Sequence, residues 1–223
     1  MKYISFCLYG DDLKYYKGAE KNLILINELL PDWTPVIYYS PSNFRLEFLD
    51  TLKELGGHLI DVSTIEISKY LTYPMFWRYL IFFESGYSIV RDLDSRISER
   101  EVNYINNWVN SELDYFIIRD HPWHSLVPGG LVGLKLNDDK IKNFFIDFVK
   151  NNGLGWGTDQ EMLSKYFENV DKKNVYYCGF DDETNYIKRD NLDFFIGIQL
   201  DEDDKPLIPS ATLALDFLKS INL

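Results

Sequence analysis

An α/β fold, with a mostly parallel central sheet flanked by helices, is the architecture this sequence predicts. Three observations carry the prediction. Short apolar, strand-like runs alternate with segments of helical period, glycine or proline closes several of them, and no repeat, low-complexity stretch or Gly/Ser/Pro-rich linker divides the chain. Strands joined by helices of this length imply right-handed crossovers. At 223 residues the chain can bury a substantial core as a single domain, 1–223.

The elements follow in order. Tyr3–Leu8 reads as the first strand, and Ala19, Leu23, Ile26 and Leu30 then share a helix face that Pro31 ends. Pro35–Tyr39 is a second strand. Phe44, Phe48, Leu52 and Leu55 mark a helix closed by Gly56-Gly57, and "HLIDV" is the third strand. In "YPMFWRYLIFFESG", Met75, Tyr79 and Phe83 fall at helical spacing before the strand Tyr87–Val90. Ser98 to Glu101 matches a capping box, with Val102, Ile105 and Val109 on the helix face behind it. "YFIIR" and a short "LVGLKL" are further strands, followed by a helix from Asp138 and the segment "GTDQEML".

Composition narrows the function classes. Net charge is −12 and no Lys/Arg block stands out, so a nucleic-acid partner is not expected, because phosphate neutralisation needs a basic surface. An acidic chain that binds a phosphorylated small molecule needs local arginines or a divalent cation. No apolar run approaches the ~20 residues of a membrane span. The first residues read as a strand rather than a signal peptide, and Cys7 and Cys178 read as thiols of a reducing compartment. Cytoplasmic residence is therefore expected.

The stretch "YSIVRDLDSRISER" ends a buried strand with two carboxylates. Ligands of open α/β sheets gather outside the carboxyl ends of strands, and Asp92 and Asp94 fall at such an end. Two aspartates one residue apart after an extended strand can face one hard cation, which takes oxygen ligands and substrate phosphates. The competing reading is that Asp94 or Ser95 starts the next helix. Ser98 already fills that role, which favours a ligand for the aspartates. Arg78, Arg91 and Arg96 either neutralise phosphates or form plain ion pairs.

In "RDHPWHSLVPGGLVGLK", Asp120, His121 and His124 suit hydroxyl binding or proton transfer, Trp123 suits a sugar face, and Gly129-Gly130 lets backbone approach closely. A turn with surface histidines and a buried Trp is the plainer alternative. Asp159 and Gln160 either bind an acceptor at a helix tip or belong to a Thr158/Glu161 capping box. "DEDDK" (201–205) lacks the glycine and spacing of a calcium loop and reads as a solvated turn.

Taken in order, "ISFCLYGDD", "PDWTPVIYY", "FWRYL", "VRDLDSRISEREVNYINNWVNS", "RDHPWHSLVPGGLVGLK", "GTDQEML" and "FFIGIQLDEDD" resemble metal-dependent GT-A glycosyltransferases, in particular small bacterial and large-virus members. The resemblance spans nearly the whole chain and is most specific from Phe76 to Lys135. It implies a GT-A type nucleotide-diphospho-sugar transferase fold, with residues 1–98 as the nucleotide-binding half and 99–223 as the acceptor half. It implies transfer of a sugar from a nucleotide-diphosphate donor, a UDP-sugar, to a hydroxyl of a glycan acceptor, with a retaining course favoured by the Asp159-Gln160 pair. Asp94 would coordinate Mn²⁺ or Mg²⁺ as cofactor, and Asp92 would hold the ribose or a metal-bound water. Phe6, Leu8, Tyr9 and Gly10 would seat the nucleoside, with Asp61 a weaker candidate for the base and Arg78 the basic residue before the metal motif. Asp120, His121, Gly130, Asp159 and Gln160 would face sugar and acceptor. If the chain is virus-encoded, it would act in the host cytoplasm.

One departure stands out. Relatives carry a late histidine, whereas none follows His124 here and the corresponding stretch reads "YYCGFDDETNY". Asp181 or Asp182 would then substitute, or the metal would have one or two protein ligands. Two alternatives remain in view. One is an inactive sugar-nucleotide or glycan-binding module on the same fold. The other is a haloacid-dehalogenase-type phosphatase, whose D-x-D lies near the N-terminus instead of after three strands.

Overall fold

A seven-stranded sheet organises the chain in the computed structural model, which describes residues 1–122, 124–136, 139–182, 184–187, 194–207 and 216. The strands are β1 (Lys2–Leu8), β2 (Thr34–Tyr39), β3 (His58–Asp61), β4 (Gly86–Arg91), β5 (Tyr115–Arg119), β6 (Leu131–Leu136) and β7 (Val175–Gly179). Their spatial order is β3-β2-β1-β4-β6-β5-β7. The sheet is mixed: β6 runs antiparallel to both β4 and β5, while the remaining pairs are parallel. The sheet is thus mostly parallel, and the reversal at β6 has a consequence for the site. Because Arg91 pairs with Leu131, the start of β6 lies at the same sheet edge as the end of β4.

The helices are α1 (Leu13–Leu29), α2 (Leu49–Glu54), α3 (Glu99–Ser111), α4 (Lys140–Asn151) and α5 (Thr158–Phe167). Asp138, expected to open α4, lies outside the described residues. Each helix buries one stripe, as its period dictates. In α1, Ala19, Leu23 and Ile26 are fully buried, and each large apolar side chain taken from water contributes about 1.5–3 kcal/mol. Asp12 caps α1 by accepting from Lys14 N–H at 3.1 Å. Two apolar clusters result. One holds Trp108, Ile105 and Tyr104 of α3 against β1 and β4; the other holds Phe145 and Phe148 of α4, Met162 and Leu163 of α5 and the segment before β4.

That segment departs from expectation. Pro74–Phe83 forms 3₁₀ helix, not α-helix, and every residue from Phe76 to Phe82 is buried. Long 3₁₀ runs are uncommon because their hydrogen bonds are poorer. Here neighbours satisfy the carbonyls instead: Ser5 Oγ donates to Arg78 O at 2.6 Å and Cys7 Sγ to Met75 O at 3.8 Å. Burial on all sides, not amphipathic period, holds the segment. The region 44–55 likewise resolves into one 3₁₀ turn, Leu46–Phe48, and the short α2.

Candidate active site

A cavity of about 440 Å³ opens at the carboxyl edge of β1 and β4. Tyr9, Tyr15, Tyr73, Met75, Arg78, Asp92 and Asp94 come to it from the first half of the chain. His121, His124, Gly129, Gly130, Trp156, Asp159, Gln160, Phe195, Gly197 and Gln199 come from the second. Burial pushes the Tyr9 and Tyr15 hydroxyls up, so both stay protonated and able to donate.

Arg78 stands at the centre. It is 2% exposed, and its guanidinium bridges two carboxylates: Nη1 to Asp92 Oδ1, and Nη2 to Asp159 Oδ2 at 2.7 Å. Paired acids hold its proton even more firmly than usual, against the opposing effect of burial. Arg78 Nε is buried without a hydrogen-bond partner among the described residues. The Tyr79 hydroxyl lies 3.1 Å from Asp159 Oδ2 and 2.9 Å from Gly129 O. One fork thus ties the strand-end motif to the first turn of α5.

Asp94 differs from Asp92. It is 5% exposed yet faces the cavity, and its carboxyl is pushed up to about 6, first by burial and second by the neighbouring Asp92 charge. Leu200 N–H donates to its backbone carbonyl at 2.6 Å, which draws the 195–200 segment onto the motif. Neither Asp94 nor Ser95 caps α3. Ser98 does, accepting from Glu101 N–H at 3.3 Å. The reciprocal half of the expected capping box is absent, because the Glu101 carboxylate turns inward to Arg91, with Nε 2.8 Å from Oε1 and both side chains 1% exposed. Burial raises the Glu101 carboxyl while Arg91 opposes that rise.

The two central glycines are explained by close approach. A Cβ on Gly130 would collide with the Asp92 carboxylate, and one on Gly129 would crowd Asp159, Arg78 and Tyr79. Backbone therefore packs against the acids, and a larger residue at either position would displace them.

Other expected positions lie elsewhere. The Phe6 and Leu8 side chains are in the core within β1, not in the cavity lining. Gly10 donates its N–H to Asn43 O and Oδ1 at 3.1 and 2.9 Å, outside the lining. Asp61 caps a 3₁₀ turn by accepting from Ser63 N–H at 2.8 Å, also outside it. Asp120 is buried, paired with Arg100, and accepts from Ile196 N–H at 2.7 Å. Its geometry is that of a brace beneath the 195–199 segment. Arg96 holds Asp204 at 2.8 Å, so neither it nor Arg91 is free for phosphate.

Asp181 pairs with Arg119 at 3.0 Å and accepts from Tyr177 at 2.8 Å, while Asp182 accepts from Thr184 N–H. Neither lines the cavity, and the late segment that does is 195–199. Among the described residues no three His, Cys, Asp or Glu side chains gather as a metal cluster. The Thr158/Glu161 box does not form either: Gly157, at φ +80°, precedes α5, and Glu161 pairs with Lys165 at 2.6 Å. Trp123 lies outside the described residues. Sequence reasoning gave no role to Tyr15, Tyr73, Trp156, Phe195 or Gln199. Their signal was only that several fall in the phrases "GWGTDQ" and "FFIGIQ".

No protein-family model matches the chain, and neither does any curated protein. Solved structures do match. S. aureus TarS, residues 1–349, aligns with TM-score 0.53 and 13% identity over 81% of this chain, which spans 59% of that one. A 4-diphosphocytidyl-2C-methyl-D-erythritol synthase from Anaerococcus prevotii DSM 20548 aligns with TM-score 0.52 and 10% identity over 98% of this chain and 99% of the other. The galactosyltransferase LgtC, in complex with donor and acceptor sugar analogs, aligns at TM-score 0.49 and 12% identity, over 80% of this chain and 73% of its own.

The α/β fold is shared with TarS 1–349. At such identities the likeness is one of fold alone, and the synthase shares it too, so the reaction has to be argued from the site. Among the described residues no helix is long and apolar enough to cross a membrane.

Proposed function

We propose that the chain is a GT-A type, metal-dependent glycosyltransferase that moves a sugar from a nucleotide-diphosphate donor, a UDP-sugar, to a hydroxyl acceptor such as a glycan. One observation carries the reading: Asp94 is a desolvated carboxylate facing the cavity, and the adjacent Asp92 charge makes its ionisation harder. A divalent cation would relieve both costs, and Asp92 and Asp94 are the residues that would hold it, offering the oxygen donors that Mn²⁺ or Mg²⁺ takes. Asp94 would be the principal ligand, because Asp92 is already engaged by Arg78. The chemistry such an ion supplies is charge stabilisation on the leaving diphosphate.

The chain's own groups have distinct tasks in this reading. Tyr9, Tyr15 and Tyr73 supply aromatic faces and hydroxyls for the nucleoside side of the donor. Arg78 keeps Asp92 and Asp159 in place, and Gly129 and Gly130 let the backbone close over them. His121 and His124 serve sugar or acceptor hydroxyls; burial holds His124 down at about 4, so it stays neutral at pH 7. An inverting course needs a carboxylate base beside the acceptor. Asp159 is engaged by Arg78 and Asp120 by Arg100, an arrangement that favours retention. Residues 1–98 then form the donor half and 99–223 the acceptor half.

A second reading, a binding module without turnover, draws on one observation: no third ligand side chain joins Asp92 and Asp94 among the described residues. A phosphatase would need Asp92 as a free nucleophile, and its pairing with Arg78 disfavours that. The test is a thermal-shift panel of nucleotide sugars with Mn²⁺, Mg²⁺ or EDTA, followed by hydrolysis assays on the best ligand. Metal-dependent stabilisation with turnover is the expected result. Stabilisation without turnover selects the binding module, and full activity in EDTA removes the metal reading.

A further inference from the structure

Trp156 is 89% exposed, yet it lines the cavity. Trp33, Trp77 and Trp108 are buried, as large apolar rings ordinarily are. Two more exposed apolar side chains belong to the same region. Leu126, 73% exposed, lies between the cavity residues His124 and Pro128 in sequence, and Phe194, 41% exposed, precedes Phe195. An exposed indole that lines a cavity marks a binding face, and these two side chains adjoin lining residues along the chain.

Added Cβ atoms at Gly153, Gly155 and Gly157 would meet nothing within 4 Å, so packing does not require these glycines. The positive φ of Gly157 turns the chain into α5, and Gly155, whose N–H donates to Thr158 Oγ1 at 2.9 Å, fixes the chain on the other side of the indole. The first turn of α5 then brings Asp159 and Gln160 to the same cavity, and Gln160 is exposed.

We propose that Trp156 is the stacking platform for an uncharged acceptor sugar ring at the cavity mouth, a reading that rests on the sugar-transfer function above. The C–H face of a pyranose is apolar and matches an indole face, while its rim of hydroxyls meets polar groups such as the Gln160 amide. Charge selects the class. Among the described lining residues the one Lys or Arg is Arg78, already held by Asp92 and Asp159. A uronate or sialate would meet Asp92, Asp94 and Asp159, with no unpaired Lys or Arg among the described lining residues to answer its own charge.

The experiment has two arms. In the first, acrylamide quenching of tryptophan emission is measured in the presence of lactose, maltose, the methyl glycosides of glucose, galactose and mannose, or methyl glucuronide. Neutral sugars should shield wild-type emission, the glucuronide should not, and Trp156→Phe should lose the effect. No shielding by any neutral sugar, or equal shielding by the glucuronide, overturns the proposal. In the second arm, Trp156→Ala should raise acceptor KM about tenfold. Donor KM should move far less than acceptor KM, and Trp156→Phe should restore most of the loss. An unchanged acceptor KM, or an equal loss of donor hydrolysis, sinks the platform. If the wild type turns over no nucleotide sugar, the transfer reading fails, and the quenching arm still decides the stacking.

Discussion

Arg78 and Arg91 are both almost wholly buried, both ion-paired, and they play opposite parts. Arg91 meets Glu101 with neither side chain more than 1% exposed, sealed between β4 and α3. Arg78 meets Asp159 at 6% exposure and Asp92 at 39%, on the wall of the cavity. Consecutive strand residues point to opposite faces, so Arg91 enters one layer and Asp92 the other. The difference teaches that a buried ion pair is not by itself a functional signal. The sealed pair braces the fold, and the open one holds acids where a ligand can reach them.

Breaking the sealed pair should have the largest effect. Glu101→Ala strands a buried guanidinium and should cost about 3–5 kcal/mol in urea unfolding. The double variant Arg91→Met/Glu101→Leu should recover most of that. A loss under about 1 kcal/mol for Glu101→Ala would mean the pair is no brace. On the open side, Asp94→Ala removes a carboxylate whose ionisation burial and Asp92 both oppose, so the fold should be at least as stable at pH 7 while metal-dependent turnover drops about 10²–10³-fold. Equal turnover in that variant would remove Asp94 from the mechanism.

Gly130→Ala tests the wall between the two. The added methyl meets the Asp92 carboxylate, so stability should fall by about 1–3 kcal/mol and nucleotide-sugar stabilisation should shrink with it. Retained ligand stabilisation would show that Asp92 does not have to stay where Arg78 holds it.

His124 carries a pH signature. Burial lowers it to about 4, and its Nδ1 has no hydrogen-bond partner among the described residues. An unfolded imidazole protonates near about 6.5, so stability should fall as pH drops from about 6.5 to about 4, by on the order of 2 kcal/mol. His124→Asn should flatten that limb. Asp94 acts with the opposite sign: its raised value stabilises the fold as pH falls through about 6. The smallest effect belongs to Asp61→Ala, which removes a turn cap at about 0.5–1 kcal/mol and should leave the nucleotide-sugar shift intact. A lost shift would return Asp61 to the donor site.

Much of the fold was legible in the sequence, because strand runs, helix stripes and breakers are local signals. β1 to β6 and α1 follow the apolar pattern to within a residue or two. β7 escaped notice because "VYYCG" was weighed only as a place for a missing histidine. The 3₁₀ segment escaped because its spacing mimics an α-helix while its carbonyls bond to Ser5 and Cys7 in a distant strand.

The site divides in the same way. By itself the sequence determined that Asp92 and Asp94 end a strand and that Ser98, not they, caps the next helix, since both follow from nearest neighbours along the chain. Only the tertiary structure decided which carboxylates face the cavity. Arg78 engages Asp92 and Asp159, Arg100 engages Asp120, and Arg119 engages Asp181, each across a long stretch of chain. Partner choice among buried charges depends on which groups the sheet order brings within reach. The antiparallel β6, which sets Gly130 against Asp92, is a matter of that order and of no local pattern.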